Sequence, residues 1–399
     1  MPSVNPEILR WARESAGMSL HAAASKLSLG DTKKALGKDR LQSLETGEHE
    51  PEVAMLIKMA KAYRRPLLSF YLPEPPAPDT SAHDFRTLPQ RNSADEPVVA
   101  TLLRDVKTRQ TLVRAMLEEE DSPARPYVGS ASTESSVDEV RSSIVEAAGI
   151  DLTDFRSAKN HEAAFAYLRE KLEGLGVFVL LLGNLGTFHT NIDVTAFRGI
   201  ALADPIAPFV VINDQDAKSA WSFTLLHEAC HLWLGESAIS SFGSDMASEK
   251  FCNDVASSFL LPHAELATLA LPESGDLAKM AAVIAEFSSK RNLSMTMVAF
   301  RLFQSQRVSE DVWTRLSDSF RDEWRRAKER EKELRKSKEN ASGPSYYMVK
   351  RHRLGKALVD TTYRGVMEGT LSATKAAKIL GVAPRGVYPL LNTANGRAA

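Results

Sequence analysis

Two cysteines, Cys230 and Cys252, are all that the 399 residues contain. A disulfide framework is thereby excluded, and a reducing cytosol is the expected setting. An excess of one charge is missing too: 50 Lys and Arg face 51 Asp and Glu, a net charge of −1. Global charge therefore points to no nucleic acid, and any basic surface has to be local. No apolar run approaches the roughly 20 residues that a spanning helix needs. The longest, Val177 to Leu182, reads as a buried strand. The opening stretch Met1 to Glu7 lacks the apolar core of a signal peptide, and no internal repeat is visible. These absences predict a soluble, cytoplasmic protein with no membrane partner. What is present is an ordinary hydrophobic content of 43%, enough to bury real cores. The length suits about two to three domains.

The strongest positive signal is His227-Glu228-Ala229-Cys230-His231, which reads H-E-x-x-H. Apolar residues on both sides, Leu225 and Leu226 before it and Leu232, Trp233 and Leu234 after it, predict a buried helix. Residues four apart share a helix face, so both imidazoles aim at one point where a divalent cation can sit. Glu228 lies at the edge of that face, placed to take a proton from the attacking water. The bland alternative is a core helix with two incidental histidines. Burying two His and a Glu at these offsets without a partner would be costly, which favours a metal site. Two imidazoles leave a tetrahedral ion short of a protein donor. Glu249 opens the next predicted helix, 18 residues after His231, where zincins commonly find their third ligand. Asn253 follows one turn later, placed to orient a ligand. Zinc is the expected metal, with manganese as the alternative. Cys230 and Cys252 read first as small buried packing residues, and otherwise as a redox pair or a spare thiolate. His189 and His263 are the candidates for stabilising an oxyanion.

Around this motif the chain divides. Residues 7–72 follow helical stripes, punctuated by Gly17, Ser19 and Gly47. The run from Pro73 to Pro78 forms a stiff boundary. A helix is predicted over 98–120, a Ser/Pro/Gly-rich loop over 122–136, and helices near 136–148 and 159–174. Strands follow over 177–182, 196–203 and 209–213, the last two joined by a hairpin at Asp204 to Pro208. Further helices are expected over 249–261 and on to about 304. From Phe320 to Lys338 the chain is charged almost throughout, which reads as an exposed, partly helical connector. A helical segment over 346–392 closes the sequence.

With these residues in view, the stretch from Phe197-Arg198-Gly199 through Phe209 to Asn213, Phe223 to Leu232, Glu249 to Ala256 and Leu260-Leu261-Pro262 resembles the ImmA/IrrE family of metallopeptidases. The resemblance covers roughly residues 160–305. It implies a gluzincin-like zinc endopeptidase whose substrate is a protein, typically a DNA-binding repressor cut in a stress or mobile-element response. It also implies His227, His231 and Glu249 as metal ligands and Glu228 as the general base. The N-terminal region resembles a Cro/repressor-type (XRE) helix-turn-helix, on Arg13 to Ser19, Ala22 to Leu27 and Leu44 to Gly47. Here the chain departs from the usual pattern, with an insertion from Gly30 to Gly37 ahead of the third helix. If that helix reads DNA, Lys38, Arg40 and Gln42 are the contacts, with Lys33 and Lys34 on phosphates. Residues 1–75 carry 11 basic and 9 acidic side chains, a weak electrostatic footprint.

The C-terminal segment carries a second hint of the same motif, from Ser372 through Gly381 to Tyr388. A plain helical hairpin is the equal alternative. The expected architecture is α+β and mostly helical. It comprises a helix-turn-helix domain over 1–75, a linker and helix over 76–133 and a zincin-like peptidase domain with a small β-sheet over 134–318. A connector over 319–345 and a C-terminal helical, helix-turn-helix-like segment over 346–399 complete it. The leading functional expectation is a DNA-binding regulator fused to a zinc endopeptidase. Its rival is a regulator or antitoxin-like protein whose peptidase-like domain senses a metal or partner and cuts nothing. A homodimer stays open.

Overall fold

The computed structural model describes residues 4–31, 35–76, 96–186, 190–240, 247–272, 276–337 and 345–392. The chain is mostly helical, with one small sheet in its middle, the α+β class expected from sequence. Two compact units emerge: Met1–Val106 with Asn184–Ala196, and Lys107–Gly183 with Phe197–Ala399.

The first unit contains α1 (Pro6–Glu14), α2 (Leu20–Lys26), α3 (Gly37–Glu45), α4 (Val53–Tyr63) and a 3-10 turn, Leu67–Tyr71. Its starts are set locally: Asn5 accepts the Glu7 N–H and Ser19 accepts the Ala22 N–H. Ile8, Leu9, Ala23, Leu41, Leu56 and Phe70 form its core. Within that core a buried ion pair ties α1 to α3, with Arg13 Nε 2.7 Å from Glu45 Oε1 and Nη2 2.9 Å from Oε2. The hydrogen bond that Arg13 donates to Glu45 holds the Arg13 charge more firmly than usual, against the opposing effect of burial. The two ends of the insertion before α3 lie side by side. Asp31 Oδ1 accepts the Gly37 N–H at 2.7 Å, and a Cβ on Gly37 would meet Leu29 O at 1.9 Å. Lys38, Arg40 and Gln42 are exposed on α3. Lys33 and Lys34 lie outside the described residues.

The second unit begins within α5 (Glu96–Glu119) and continues with α6 (Val137–Ala148), α7 (Leu152–Ser157) and α8 (His161–Gly174). Ser136 and Glu139 form a reciprocal capping box at the start of α6. The strands are β1 (Phe178–Leu181), β2 (Gly199–Leu202) and β3 (Phe209–Ile212). Next come α9 (Lys218–Leu234), β4 (Ala238–Ser240) and α10 (Ala247–Leu260). Strand order is β1-β3-β2-β4, with β1 parallel to β3 and the other pairs antiparallel. β1 to β3 are buried at every position, which explains why they read as unbroken apolar runs. Each is shorter than its apolar run, and β4 had no sequence signal at all.

Helix α9 packs against α6, α8, α10 and the sheet, so it is buried around most of its circumference. Tyr127 stacks on Trp233 with ring centroids 4.4 Å apart, and Trp233 Nε1 donates to Ser143 Oγ at 2.9 Å. The unit goes on through α11 (His263–Ala267), α12 (Leu277–Ser289), α13 (Met295–Gln304) and α14 (Glu310–Ser337). Helix α14 covers the connector expected from sequence as far as Ser337, and Leu316 and Phe320 anchor its first half in the main core. The last helices are α15 (Tyr346–Leu354), α16 (Lys356–Met367), α17 (Ala373–Leu380) and α18 (Val387–Asn392). They belong to the same compact unit as the sheet and α9.

Candidate metal centre

Helix α9 has to stop at the right place for its histidines to face outward from one turn. Gly235 does this with a left-handed φ of 70°, and the Glu236 N–H then closes on His231 O at 3.0 Å. His227 and His231 sit on this last, buried portion. Glu249 reaches them from the first turn of α10. His227 Nε2 lies 3.3 Å from Glu249 Oε2, His231 Nε2 lies 3.3 Å from Oε1, and the two Nε2 atoms are 3.2 Å apart. All three residues are buried.

The spacing of these donors tests whether they fit a metal. Four tetrahedral ligands at about 2.0–2.1 Å from zinc stand roughly 3.3–3.4 Å from one another. The observed triangle matches that separation, and its imidazole and carboxylate donors suit zinc. Three protein donors leave one tetrahedral position for water or substrate, the pattern of catalytic sites and not of closed structural ones.

Charge in the cluster follows from its packing. Burial alone would lower the His231 imidazole, but Glu236 and Glu249 at its two nitrogens and the nearby Glu228 carboxylate raise it to about 10. Burial pushes Glu249 up, yet the two imidazoles outweigh it and hold that carboxyl down at about 2. The carboxylates thus favour a positive charge at this position.

Glu228 is fully buried beside the ligands. Its carboxylate rests on the bare backbone of β2, where a Cβ on Gly199 would sit 2.1 Å from Oε1 and 2.6 Å from Cδ. Gly199 is therefore part of the site, since only a residue without a side chain lets Glu228 lie there. In Gly199→Ala the carboxylate has to move. We expect catalysis to fall by about 10²-fold, as for an ångström of misplacement, while overpacking lowers stability by about 1–3 kcal/mol. Metal content should be unchanged, and parallel assays of hydrolysis and bound metal check this.

Glu236 is a second residue that sequence reasoning missed. Its Oε2 lies 3.6 Å from His231 Nδ1, the nitrogen turned away from the metal position, and this contact holds the Glu236 carboxyl below its usual range. A carboxylate behind a ligating imidazole fixes the ring and raises its basicity. The available signal was an acid just beyond the glycine that ends the motif helix.

The other expectations fare unevenly. Asn253 is half-buried one turn beyond Glu249 and makes no hydrogen bond to the three ligands among the described residues. His263 is exposed at the start of α11, and His189 lies outside the described residues. Cys230 and Cys252 are both buried, without a disulfide. Burial, then a contact from Cys230, pushes the Cys252 thiol far up. Neither thiol should react with a chromogenic disulfide reagent in the native protein, and both should react in denaturant. Fast native reaction would restore the redox reading.

A helix offering two imidazoles, with a carboxylate between them and a third donor from the next helix, is the arrangement of a metal-dependent hydrolase. Residues 184–303 match the family model Peptidase_M78, described as the IrrE N-terminal-like domain. The match spans Gly199, the His227–His231 motif, Glu236 and Glu249, and it supports an ImmA/IrrE-like peptidase reading of this region. No curated protein and no solved structure matches the chain. No helix among the described residues is long and apolar enough to cross a membrane.

Proposed function

We propose that the chain is a zinc-dependent endopeptidase that makes a selective cut in a regulatory protein, with a DNA-binding module at its N-terminus. The observation that carries this reading is the buried triangle of His227, His231 and Glu249 with Glu228 beside it. In the proposed site these three residues hold the ion. When bound, the metal supplies a positive charge that polarises the scissile carbonyl and favours deprotonation of water. Glu228 accepts the proton of the attacking water and returns it to the leaving amine. Gly199 gives that carboxylate its space, and Glu236 fixes the ring of His231.

The substrate class rests on the family likeness, which favours a DNA-binding repressor and a stress or mobile-element response in the cytoplasm. The DNA-binding half rests on the helical first unit and on the exposed Lys38, Arg40 and Gln42 of α3. The rival reading, a sensor that cuts nothing, has no use for a fully buried Glu228 next to the ligands. Desolvating a carboxylate is costly, and a sensor gains nothing by it.

The test is to incubate the purified protein with candidate DNA-binding repressors, with zinc and with a chelator. Elemental analysis should find about one ion per chain, zinc or its alternative manganese, given a single three-donor site. Cleavage at one position is expected with metal and none after chelation. A metal-loaded protein that leaves every candidate repressor intact would support the sensor.

A further inference from the structure

The C-terminal helices carry charge for which a peptidase has no role. Residues 345–392 hold eight Lys and Arg against two acids, Asp360 and Glu368, so 8 − 2 gives a local charge of +6 in a chain of net −1. Part of this charge is neutralised within the unit. Arg351 lies 3.8 Å from Asp360, Arg353 2.7 Å from Asp214 and Arg364 2.8 Å from Glu120. Lys375, Lys378 and Arg385 differ: they are exposed and have no acidic partner among the described residues.

These three sit on one supersecondary unit. Ser372 caps α17 by accepting the Lys375 N–H, and Gly381 ends it in the left-handed region at φ 61°. Gly381, Val382 and Ala383 then lead to a short 3-10 turn, Pro384–Gly386, and into α18. Ala376, Ala377, Ile379 and Leu380 face inward and are buried, as are Val387, Leu390 and Leu391. Two short helices thus pack across a glycine-bearing connection, residues 381–386, in the manner of a helix-turn-helix. Among the described residues α15 and α16 pack on β1, α17 packs on α16 and α18, and α15 also packs on α18, while the side chains of Lys375, Lys378 and Arg385 stay exposed.

The exposed cations are grouped on this unit. Lys375 and Lys378 are one turn apart on a single face of α17. Arg385 and the half-exposed Tyr388 stand three residues apart where the second helix begins. The turn is also approached by two further cations, since a Cβ on Gly381 would lie 2.4 Å from Arg109 Nη2 and 3.3 Å from Lys350 Nζ. In helix-turn-helix docking the first helix meets phosphates and the start of the second meets base edges. Lysine suits the former and arginine the latter, through guanine in the major groove.

We infer that α17 and α18 form a second nucleic-acid contact, which binds duplex DNA through Lys375, Lys378 and Arg385. This contact stands apart from the N-terminal module and does not depend on the peptidase reading. The test titrates the full chain against a fluorescent duplex of about three helical turns, following anisotropy between roughly 50 and 200 mM salt. In K375E/K378E/R385E the Kd should rise at least about tenfold, and the log–log salt slope should flatten by roughly 2, near 0.9 for each of the two lost lysine–phosphate contacts. K375Q/K378Q/R385Q repeats the measurement without added repulsion and should flatten the slope equally. Both variants change exposed residues, so the far-ultraviolet spectrum and unfolding midpoint should match the parent. K38E/R40E, in the N-terminal module, is the comparison arm. If that pair alone removes binding and the C-terminal variants keep the parental Kd and slope, the inference fails. Tighter binding of single-stranded RNA of equal length would overturn the assignment to duplex DNA.

Discussion

Replacing Glu228 by Gln is expected to lower peptide hydrolysis by about 10²–10⁴-fold, the usual contribution of a positioned general base, while metal content stays at the parental level. The amide fills nearly the same volume in the slot over Gly199, so the fold should be undisturbed. What it loses is the capacity to accept a proton. The contrast with the ligands is sharp in kind. His227→Ala, His231→Ala or Glu249→Ala should remove the metal itself, because each takes one of three donors that stand 3.2–3.3 Å apart. Activity and elemental analysis on the same samples separate the two outcomes. A Glu228→Gln protein that still cuts would show that Glu228 is not the base. A protein whose alanine variants keep a full complement of metal would show that the triangle is not the site.

Much of this arrangement is visible in the sequence because it rests on local periodicity. The 3.6-residue repeat puts His227 and His231 on one face, the flanking apolar residues bury it, and Gly235 marks its end. Glu249 is legible because it opens the next helix, and the structure brings it to both histidines. The parts that escaped are those set by tertiary approach. Gly199 reads as one more strand residue until the carboxylate of Glu228 is seen lying over it. Glu236 falls beyond the helix that carries the pattern. β4 spans only Ala238–Ser240, too short to announce itself by alternation. The boundary expected at residue 319 falls inside α14, because its apolar anchors, Leu316 and Phe320, are sparse among charges. A long helix with a buried first half and a solvated second half has no single compositional signature.

The pair Arg169 and Glu173 shows the same limit with a larger energetic consequence. Four residues apart on α8, they have the spacing of a pair that on a solvated face is worth a few tenths of a kcal/mol. In the structure their side chains are 9% and 8% exposed. Arg169 Nε donates to Glu173 Oε1 at 3.1 Å, Nη1 to His352 O at 2.7 Å, and Nη2 to Val179 O on β1. Glu173 Oε2 in turn accepts the N–H groups of Lys356 at 3.1 Å and Ala357 at 3.2 Å, capping α16. Burial pushes the Arg169 guanidinium toward easier deprotonation and the Glu173 carboxyl upward, so each charge depends on the other and on these backbone partners. Gly355 lies in the middle with φ at 81°, where a Cβ would stand 2.2 Å from Glu173 Oε1 and 2.5 Å from Arg169 Nη2. One side-chain pair thus fastens the start of the C-terminal helices to the sheet. Arg169→Ala should destabilise this unit by about 3–5 kcal/mol, because it strands a buried carboxylate and frees the carbonyls of Val179, His352 and Arg353. Gly355→Ala should act in the same direction through left-handed strain and collision. Denaturant unfolding followed by tryptophan fluorescence measures both, with Trp221 and Trp233 reporting from α9 in the core of the unit. Were the C-terminal helices a loosely appended module, Arg169→Ala would leave that midpoint where it was and only quicken proteolysis after Ser337. A lowered midpoint in the core is the expected result, and it would make residues 345–392 a working part of the peptidase unit.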